Sequence, residues 1–410
     1  MSSVLPPADH FGVIRQKSHN NPDLVIVGGG IVGLWCAERA GRLGLKTVLL
    51  EQERIGNGAS GGFLGALMPH QPVNWIDKKG FQLDALLTIE SEILALEEAT
   101  GILCGYRRCG RLMPIYTQNK FEQSKTWQTA SRQHWPSTSP TGDSIGWDIL
   151  NKSPNPEWLS PATNMLACDY DSLSARLNPR TTLQALATKA STNVEIRENT
   201  RVTKISTDAT VHLSNASTIS PGHVIITAGY EGFALLQPIA GRSLGTGVKG
   251  QAALLRPKSP VSLEQPIIYA RGTYIIAHDS GLIAIGSTSE NTFQHPNTVD
   301  AALEDLIQHA TTLCPQLEGA EVIERWAGVR PKAIGREPIV GALPEARNVI
   351  VASGGFKITY AIAHRLADAA LSCIAGPCIK LPEKFKIAHH YASATERKTK
   401  HPDSVTPSTS

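Results

Sequence analysis

Three glycines near the N-terminus have the type and spacing of a phosphate-binding turn. Gly28, Gly30 and Gly33 form G-x-G-x-x-G directly after an apolar, β-rich stretch, residues 24–28. In such a turn the first glycine permits a tight bend, the second lets a pyrophosphate approach the backbone, and the third lets the next helix pack closely on the sheet. That helix, residues 31–43, would present free N–H groups and a positive dipole end to the phosphates.

An acidic residue supports the same interpretation. Glu51 ends the next apolar strand, "KTVLLE", where its carboxylate could accept hydrogen bonds from ribose hydroxyls. A glycine-rich turn followed by an ordinary surface acid is the alternative, but strand, spacing, helix and acid occur together here. The pattern indicates a dinucleotide, and it leaves NAD and FAD open because both contain the same AMP half.

Three features favour FAD. A nicotinamide-binding domain would continue with alternating strands and helices, whereas a second glycine-rich segment, "GNGASGGFLGALMP", follows at once. Its small residues suit close approach to a second, extended part of the same ligand. Near the C-terminus, "SGGFKITYAIAH" places another glycine-rich turn at a helix start, which would face the flavin pyrimidine ring.

The elements that would position these residues are spread along the chain. The apolar strands "DLVIVGGG", "HVIITAG" and "NVIVASGG" lie far apart in the sequence, and several short β runs from Val248 to Gly286 indicate an antiparallel sheet. Helices are predicted for "FQLDALLTIESEILALEEATG" (ended by Gly101), near 119–134, from Pro179, near 300–313, and from Ile358 to Ala375.

The predicted fold class is therefore α/β, with one domain assembled from discontinuous pieces. A Rossmann-like FAD-binding domain is predicted over residues 23–75, 165–240 and 335–378, with an inserted α+β substrate-binding domain, built on the antiparallel sheet, over residues 76–164 and 241–334. Residues 1–22 and 379–410 are predicted to be peripheral tails, because the last thirty residues are polar.

Composition excludes several other classes of protein. The 410 residues are 41% hydrophobic and 18% charged, as in a globular protein, and a net charge of +3 argues against a nucleic-acid or membrane partner. The N-terminal residues lack a signal-peptide apolar run, and no segment is apolar for long enough to span a bilayer. Seven scattered cysteines suggest reduced thiols, hence a cytoplasmic protein, and no His/Cys cluster with zinc spacing accompanies them, so we expect no metal.

An ordered set of motifs resembles a known family. The glycine fingerprint, "VIITAGYEG", "YIIAHDSGLIAIGSTSE", "WAGVRPKAIGREPIVG" and "VIVASGGFKITYAIAHRLADAAL" occur in the order found in the FAD-dependent D-amino acid oxidase superfamily, nearest to its glycine oxidase and sarcosine oxidase branch. The resemblance covers most of residues 23–376. It implies FAD-dependent oxidation of the C–N bond of glycine, sarcosine, a D-amino acid or a similar small substrate to an imine that hydrolyses, with oxygen or another electron acceptor.

The resemblance also assigns roles to matching residues. Arg330 of "WAGVRP" would bind the substrate carboxylate, Tyr274 would assist it, and Lys357 lies where glycine oxidases carry a basic residue near the flavin. The backbone of Val202 matches the position that holds adenine. The predicted catalytic residues are Arg330, Tyr274 and Lys357, and the predicted FAD contacts are Gly28, Gly30, Ile31, Val32, Gly33, Glu51, Gln52, Ala59, Ser60, Val202, Ala228, Gly229, Gly354, Gly355, Phe356, Lys357, Ile358 and Thr359.

Other interpretations remain open at this point. Arg330 could belong to a structural ion pair, Tyr274 could pack a domain seam, and Lys357 could be a solvated charge at a helix start. The chain could instead be a dehydrogenase passing electrons to quinone or a partner protein, or a non-catalytic flavin subunit of a complex. "GASGGFLGALMP" also resembles the flavin domain of a tRNA-modifying carboxymethylamine oxidase. A homo-oligomer is a further open alternative.

Three departures from the family pattern stand out. The segment "RPKAIGREP" lacks the acid that usually follows the arginine, and the loop lacks the second glycine expected after "SGGF". No cysteine occupies the covalent attachment site of sarcosine oxidases, since Cys314 precedes the arginine motif. The third departure predicts that FAD is bound non-covalently.

Overall fold

The computed structural model of the chain describes residues 21–161 and 164–400. The strands are β1 Leu24–Val27, β2 Thr47–Leu50, β3 Ala66–Leu67, β4 Arg111–Ile115, β5 Trp147–Leu150, β6 Ala167–Asp171, β7 Ala175–Arg176, β8 Val194–Arg197, β9 Val202–Ile205, β10 Val211–Leu213, β11 Thr218–Ile219, β12 His223–Ile226, β13 Gly245–Arg256, β14 Ile267–Ala270, β15 Thr273–Ala277, β16 Ile283–Gly286, β17 Glu321–Ala333, β18 Ile339–Leu343 and β19 Ala346–Ser353. The helices are α1 Ile31–Arg42, α2 Asp77–Thr100, α3 Gln118–His134, α4 Pro179–Ala190, α5 Gly232–Ala240, α6 Ala301–Leu313, α7 Thr359–Leu371 and α8 Ile387–Lys400.

A six-stranded sheet unites strands that are distant in sequence. Its order is β18-β19-β12-β1-β2-β8, parallel except where β18 meets β19. Every residue of β1 is buried: Leu24 and Ile26 face a core shared with α1, α4 and α7, whereas Val25 and Val27 face a core shared with α5. A parallel strand covered on both faces reads as a continuous apolar run, which is why "LVIV" was recognisable in the sequence. The predicted α/β class with a Rossmann-like sheet is confirmed.

A second sheet has eight strands in the order β17-β13-β16-β15-β14-β4-β6-β5. It is antiparallel except for the pair of β14 with β4. Its longest pair is β13 with β17, which runs from Gly245 opposite Ala333 to Arg256 opposite Glu321, with one shift of register between Leu254 and Leu255. This pair brings Val248 opposite Arg330.

The division between the sheets differs from the predicted boundaries in two places. Helix α2, predicted within the inserted domain, buries Leu86, Ile89 and Ile93 in the core of the six-stranded sheet. Strand β6, predicted within the FAD-binding domain, pairs with β4 and β5 of the eight-stranded sheet. An amphipathic helix shows that one face is buried but not which sheet it covers, so the sequence could not assign α2.

The C-terminal segment is not peripheral where the structure describes it. Phe385, Ile387 and His390 are buried, and α8 packs beside β18. The ring of His390 bonds the loop that precedes β18, accepting at Nδ1 from the Gly335 N–H and donating from Nε2 to the Pro338 carbonyl. A few buried side chains fix this segment although its composition is polar. Residues 1–20 and 401–410 of the predicted tails lie outside the described residues.

Candidate functional site

A cavity of about 780 Å³ lies between the two sheets. Its size falls within the roughly 300–1,000 Å³ usual for small-molecule and cofactor sites. The predicted site residues that line it are Gly28, Gly30, Ile31, Val32, Glu51, Gln52, Ala59, Ser60, Val202, Ala228, Gly229, Tyr274, Arg330, Gly354, Phe356, Lys357 and Thr359. Gly33, Gly355 and Ile358 do not line it. Residues separated by more than 300 positions thus share one cavity wall.

The glycine turn after β1 leaves no room for side chains. Gly28 has φ +108°, and a Cβ there would lie 2.6 Å from the Ala228 Cα. A Cβ on Gly33 would lie 1.9 Å from the Gly28 carbonyl oxygen, so this glycine allows α1 to pack against the strand end and needs no contact with a ligand. The structure therefore explains why Gly33 belongs to the fingerprint without lining the cavity.

The N-terminus of α1 opens into the cavity. Its N-cap residue is Gly30, which has no side chain to satisfy the first turn, and that turn contains no acid. The Ile31 N–H donates to the Ser60 hydroxyl at 3.1 Å, and Tyr360 donates to the Ser60 carbonyl. Unsatisfied N–H groups and a positive dipole end form an anion site, which is what a pyrophosphate needs.

Glu51 braces the same turn. One carboxylate oxygen accepts from the Gly29 N–H at 2.7 Å and the other from the Glu53 N–H at 3.1 Å. Burial raises the pKa of this carboxyl, and these backbone hydrogen bonds oppose the rise. Each oxygen keeps a further lone pair that can accept from a hydroxyl, so the residue can serve both the turn and a ribose.

Arg330 lies at the other end of the cavity in a slot made by two backbone segments. One Nη donates to the Ser287 hydroxyl at 3.0 Å, and the other donates to the carbonyls of Thr288 at 2.7 Å and Lys249 at 3.2 Å. A Cβ on Gly250 would lie 2.1 Å from Nη1 and 2.5 Å from Cζ, so the guanidinium occupies the space that this glycine leaves free.

The charge of Arg330 is not neutralised by the protein. No acid of residues 21–161 and 164–400 pairs with it, and its buried Nε–H has no acceptor there. Burial lowers its pKa to about 10, against smaller opposing effects of Tyr274 and Glu290. Among the residues that the structure describes, no acid forms the structural ion pair with Arg330 that the sequence left open. A half-buried guanidinium with an unused buried donor is arranged for an anion from outside.

Tyr274 and Lys357 complete this end. The Tyr274 ring lies 4.6 Å from that of Tyr269, and burial raises the pKa of its hydroxyl. Lys357 Nζ lies 5.7 Å from the centre of the Phe356 ring, and its pKa is lowered by burial and by the charge of Arg330. Both side chains line the cavity.

Several cavity residues were not predicted. Trp326 packs against Gly328, where a Cβ would come within 2.4 Å of its ring, and Phe63, Met68 and Ser287 form other parts of the wall. Trp326 stands four residues before Arg330 in "WAGVRP", and side-chain alternation along a strand places both on one face. That signal could have identified it. Ser287 carries no signal, because its position depends on how β13, β16 and β17 pair.

The cavity fits FAD on these observations. Glycines leave the backbone open where a pyrophosphate would lie, and the N-terminus of α1 supplies N–H donors beside it. At the far end, the buried Nε–H of Arg330 has no acceptor. No cysteine lines the cavity within the described residues. In the same part of the chain, no helix has both the length and the hydropathy needed to cross a membrane.

Comparison with known proteins gives the same answer. The sequence model of the FAD dependent oxidoreductase family (DAO) matches residues 23–369. A glycine oxidase of Geobacillus kaustophilus is 26% identical over 344 residues, covering 82% of this chain and 88% of that protein.

Two solved structures share the fold. The crystal structure of glycine oxidase from Geobacillus kaustophilus gives a TM-score of 0.78 at 23% identity, covering 90% of this chain and 98% of the other. That of iminodiacetate oxidase from Chelativorans sp. BNC1 gives 0.78 at 18% identity, covering 88% and 98%. The predicted family and cofactor are confirmed: the chain belongs to the DAO family of FAD-dependent oxidoreductases.

Proposed function

We propose that this enzyme oxidises the C–N bond of a small amino acid or N-substituted glycine, with FAD bound non-covalently in the cavity. The observation that carries the proposal is the Arg330 slot, a half-buried guanidinium that no described acid pairs with and whose buried Nε–H has no acceptor. The glycine oxidase relative at 26% identity supports glycine and its N-substituted derivatives as the class of substrate.

Arg330 would bind the substrate carboxylate and orient it. A guanidinium fork matches the two carboxylate oxygens, and its charge persists at neutral pH even with a pKa lowered to about 10. Fixing the carboxylate fixes the Cα–H and the amine relative to the cofactor, which converts a bimolecular encounter into a positioned one. FAD, when bound, would accept two electrons and the Cα hydrogen, while the amine loses a proton. Water then hydrolyses the imine to an oxo acid and an amine or ammonia.

The wall around Arg330 would keep water away from the reacting carbon. Tyr274 is nearly fully buried, and Phe63 and Trp326 meet edge to face with ring centres 6.5 Å apart. A cavity with these apolar sides strengthens the attraction between a carboxylate and Arg330, because fewer water molecules screen the two charges. We assign no general base. His278 donates to the Phe63 carbonyl, and its pKa is lowered to about 4 by burial, as expected of a structural histidine.

The cofactor contacts are proposed from the same geometry. The α1 N-terminus and Ser60 would hold the pyrophosphate, Glu51 the adenosine ribose, and the Val202 backbone the adenine. Lys357 would stabilise negative charge on the reduced flavin. The cytoplasm remains the proposed location, consistent with seven cysteines that are all unpaired.

The deciding experiment is anaerobic bleaching of the flavin by a panel of amines. The FAD-loaded protein is mixed with glycine, sarcosine, proline, D-amino acids and opines, and the loss of flavin absorbance is followed. We expect bleaching by at least one carboxylate-bearing amine and none by the corresponding amine without a carboxylate. A flavin that no amine bleaches would overturn the proposal and favour a non-catalytic flavin subunit. Reoxidation with oxygen or with a quinone then identifies the electron acceptor.

A further inference from the structure

A serine hydroxyl lies beside the guanidinium of Arg330 at the substrate end of the cavity. Ser287 directly follows β16, is half-buried and lines the cavity, as Arg330 does. Its Oγ lies 3.0 Å from one Nη of Arg330. The two side chains therefore form one polar patch in the cavity wall.

The direction of this hydrogen bond is fixed by the chemistry of its partners. A guanidinium has N–H donors and no acceptor, so the Ser287 oxygen must accept. Within residues 21–161 and 164–400 this contact is the single hydrogen bond of the Ser287 hydroxyl, and no protein atom accepts its proton. Ser287 therefore presents an unused O–H donor beside a cation.

Arg330 retains a donor at the same place. Both hydrogens of one Nη are directed at carbonyls, those of Thr288 and Lys249, and the other Nη uses one hydrogen for Ser287. The second hydrogen of that other Nη remains available, on the nitrogen that lies 3.0 Å from Ser287 Oγ. A carboxylate has about four lone-pair sites on its two oxygens, so it can accept from both unused donors at once.

We propose that Ser287 is a further substrate-binding residue, whose hydroxyl donates to the same carboxylate that pairs with Arg330. This inference rests on the proposed function for the identity of that anion. A guanidinium alone attracts any small anion, whereas the hydroxyl adds a directional contact that a carboxylate accepts with its second oxygen. Ser287 thereby helps to determine the specificity of the site for carboxylates.

A second serine of the same segment provides the matched control. Ser289 Oγ lies 3.4 Å from the other Nη of Arg330, but Ser289 is exposed and does not line the cavity. Both serines contact the guanidinium, and of the two only Ser287 is placed to touch a ligand. The same chemical change at the two positions therefore separates contact with Arg330 from contact with the substrate.

The test measures binding of an analogue that lacks an amine. Methoxyacetate is sarcosine with an ether oxygen in place of the nitrogen, and its binding to the FAD-loaded protein is followed from the perturbation of the flavin spectrum. We expect Ser287→Ala to weaken binding about tenfold, the effect of losing one hydrogen bond to a charged group. Ser289→Ala should change it less than about twofold, and both variants should keep the melting temperature of the wild type. Equal effects of the two substitutions, or a wild-type protein that does not bind methoxyacetate, would overturn the inference.

A double variant separates direct contact from support of the guanidinium. Arg330→Lys removes the group that Ser287 holds but leaves a charge for the carboxylate. A direct contact predicts that adding Ser287→Ala to Arg330→Lys weakens methoxyacetate binding by about a further tenfold. No further loss in the double variant would mean that Ser287 acts only by positioning Arg330, and the inference would fail.

Turnover distinguishes this inference from the proposed function. For an amine that bleaches the flavin, Ser287→Ala should raise the concentration that gives the half-maximal rate about tenfold and change the limiting rate much less. If Ser287→Ala weakens methoxyacetate binding yet no amine bleaches the flavin, the oxidase proposal fails while the assignment of Ser287 stands. If an amine bleaches the flavin with the same concentration dependence in Ser287→Ala as in the wild type, the oxidase proposal stands and this inference fails.

Discussion

Two arginines in this molecule, the buried Arg39 and the half-buried Arg330, have opposite surroundings. Arg39, on α1, reaches three acids with its three nitrogens: Glu38 at 2.6 Å, Glu92 at 2.7 Å and Asp368 at 2.8 Å. Burial alone would lower its pKa, but the three carboxylates raise it above its ordinary value. Arg330 is bound by hydroxyls and carbonyls only, and its pKa is lowered. The ion pairs of Arg39 with three carboxylates stabilise the fold. Arg330 has no such carboxylate and can therefore bind an anionic ligand.

The largest expected effect on catalysis comes from replacing Arg330. Arg330→Ala should lose roughly 2–5 kcal/mol of transition-state stabilisation, because a carboxylate in a water-poor cavity loses its partner. Its flavin spectrum and melting temperature should change little. Arg330→Lys keeps the charge but loses the planar fork, so it should retain FAD and bind substrate poorly.

Arg39→Met provides the matched control. It leaves three carboxylates without their cation, and we expect it to lower the free energy of unfolding by about 3–5 kcal/mol while substrate affinity is kept. Melting temperature and the rate of flavin bleaching are measured on both proteins. An Arg330→Ala protein that melts early and is bleached at the normal rate would reverse the comparison, and amines without a carboxylate would become the better substrates to test.

The second prediction concerns a substitution that displaces the Arg330 guanidinium without replacing Arg330 itself. Gly250→Ala places a methyl group where Arg330 now lies, 2.1 Å from Nη1. Overpacking of this kind costs about 1–3 kcal/mol or forces the side chain aside, so substrate affinity should fall about tenfold or more. Gly146→Ala, where a Cβ meets nothing within 4 Å, should behave like the wild type. Unchanged affinity in Gly250→Ala would show that the slot does not set the position of Arg330.

The third prediction concerns the cofactor end of the cavity, where backbone N–H groups donate hydrogen bonds to the Glu51 carboxylate. Glu51→Ala removes the acceptor for the Gly29 and Glu53 N–H groups and for the proposed ribose contact. We expect FAD to bind more weakly by roughly 1–3 kcal/mol, the cost of unpaired buried polar groups. Equilibrium titration of the apoprotein measures this. Glu195→Ala, which removes an exposed acid paired with Arg197 on β8, should leave the FAD affinity intact.

The smallest expected effect is that of Lys357 on the cofactor. Lys357→Met removes a cation from the cavity wall, so negative charge on the reduced flavin should be less stable. The reduction potential should fall by about 30 mV, which corresponds to about 1.4 kcal/mol for two electrons. Potentiometric titration beside a reference dye measures it. A potential equal to that of the wild type would mean that this lysine serves the substrate instead.

The sequence was most informative where a short segment carries a known pattern. Gly33 leaves room for the Gly28 carbonyl within the turn, and although Gly28 and Gly30 leave room for Ala228 and Ser60 elsewhere in the chain, the spacing of the three glycines sufficed to predict the turn. Gly250 is different, because a glycine is needed there to make room for the side chain of Arg330. That residue lies eighty positions later and is brought near by the pairing of β13 with β17. No local pattern carries that information.

Charge was predictable in sign but not in pairing. The sequence suggested that Lys357 and Arg330 lie near the ligand, yet it gave no sign that Lys332 joins them around Phe356, because that meeting depends on the left-handed backbone at Phe356. The C-terminal helix was missed for a related reason. His390, which anchors this helix, is a polar residue, and only the structure shows that it is buried and hydrogen-bonded to the Pro338 carbonyl.

The six-stranded sheet has a consequence for how the protein is made. Its central strand, β1, leaves the ribosome first, but its neighbour β12 follows almost two hundred residues later, and β19, which completes the order, ends at Ser353. A nascent chain therefore holds the glycine turn exposed for most of its synthesis, and such distant pairings are slow to form. We therefore expect the cofactor to bind only when translation is nearly finished. A chain ended at any codon before Ala346 lacks the cavity-lining residues between Ala352 and Tyr360, and we expect added flavin not to rescue it.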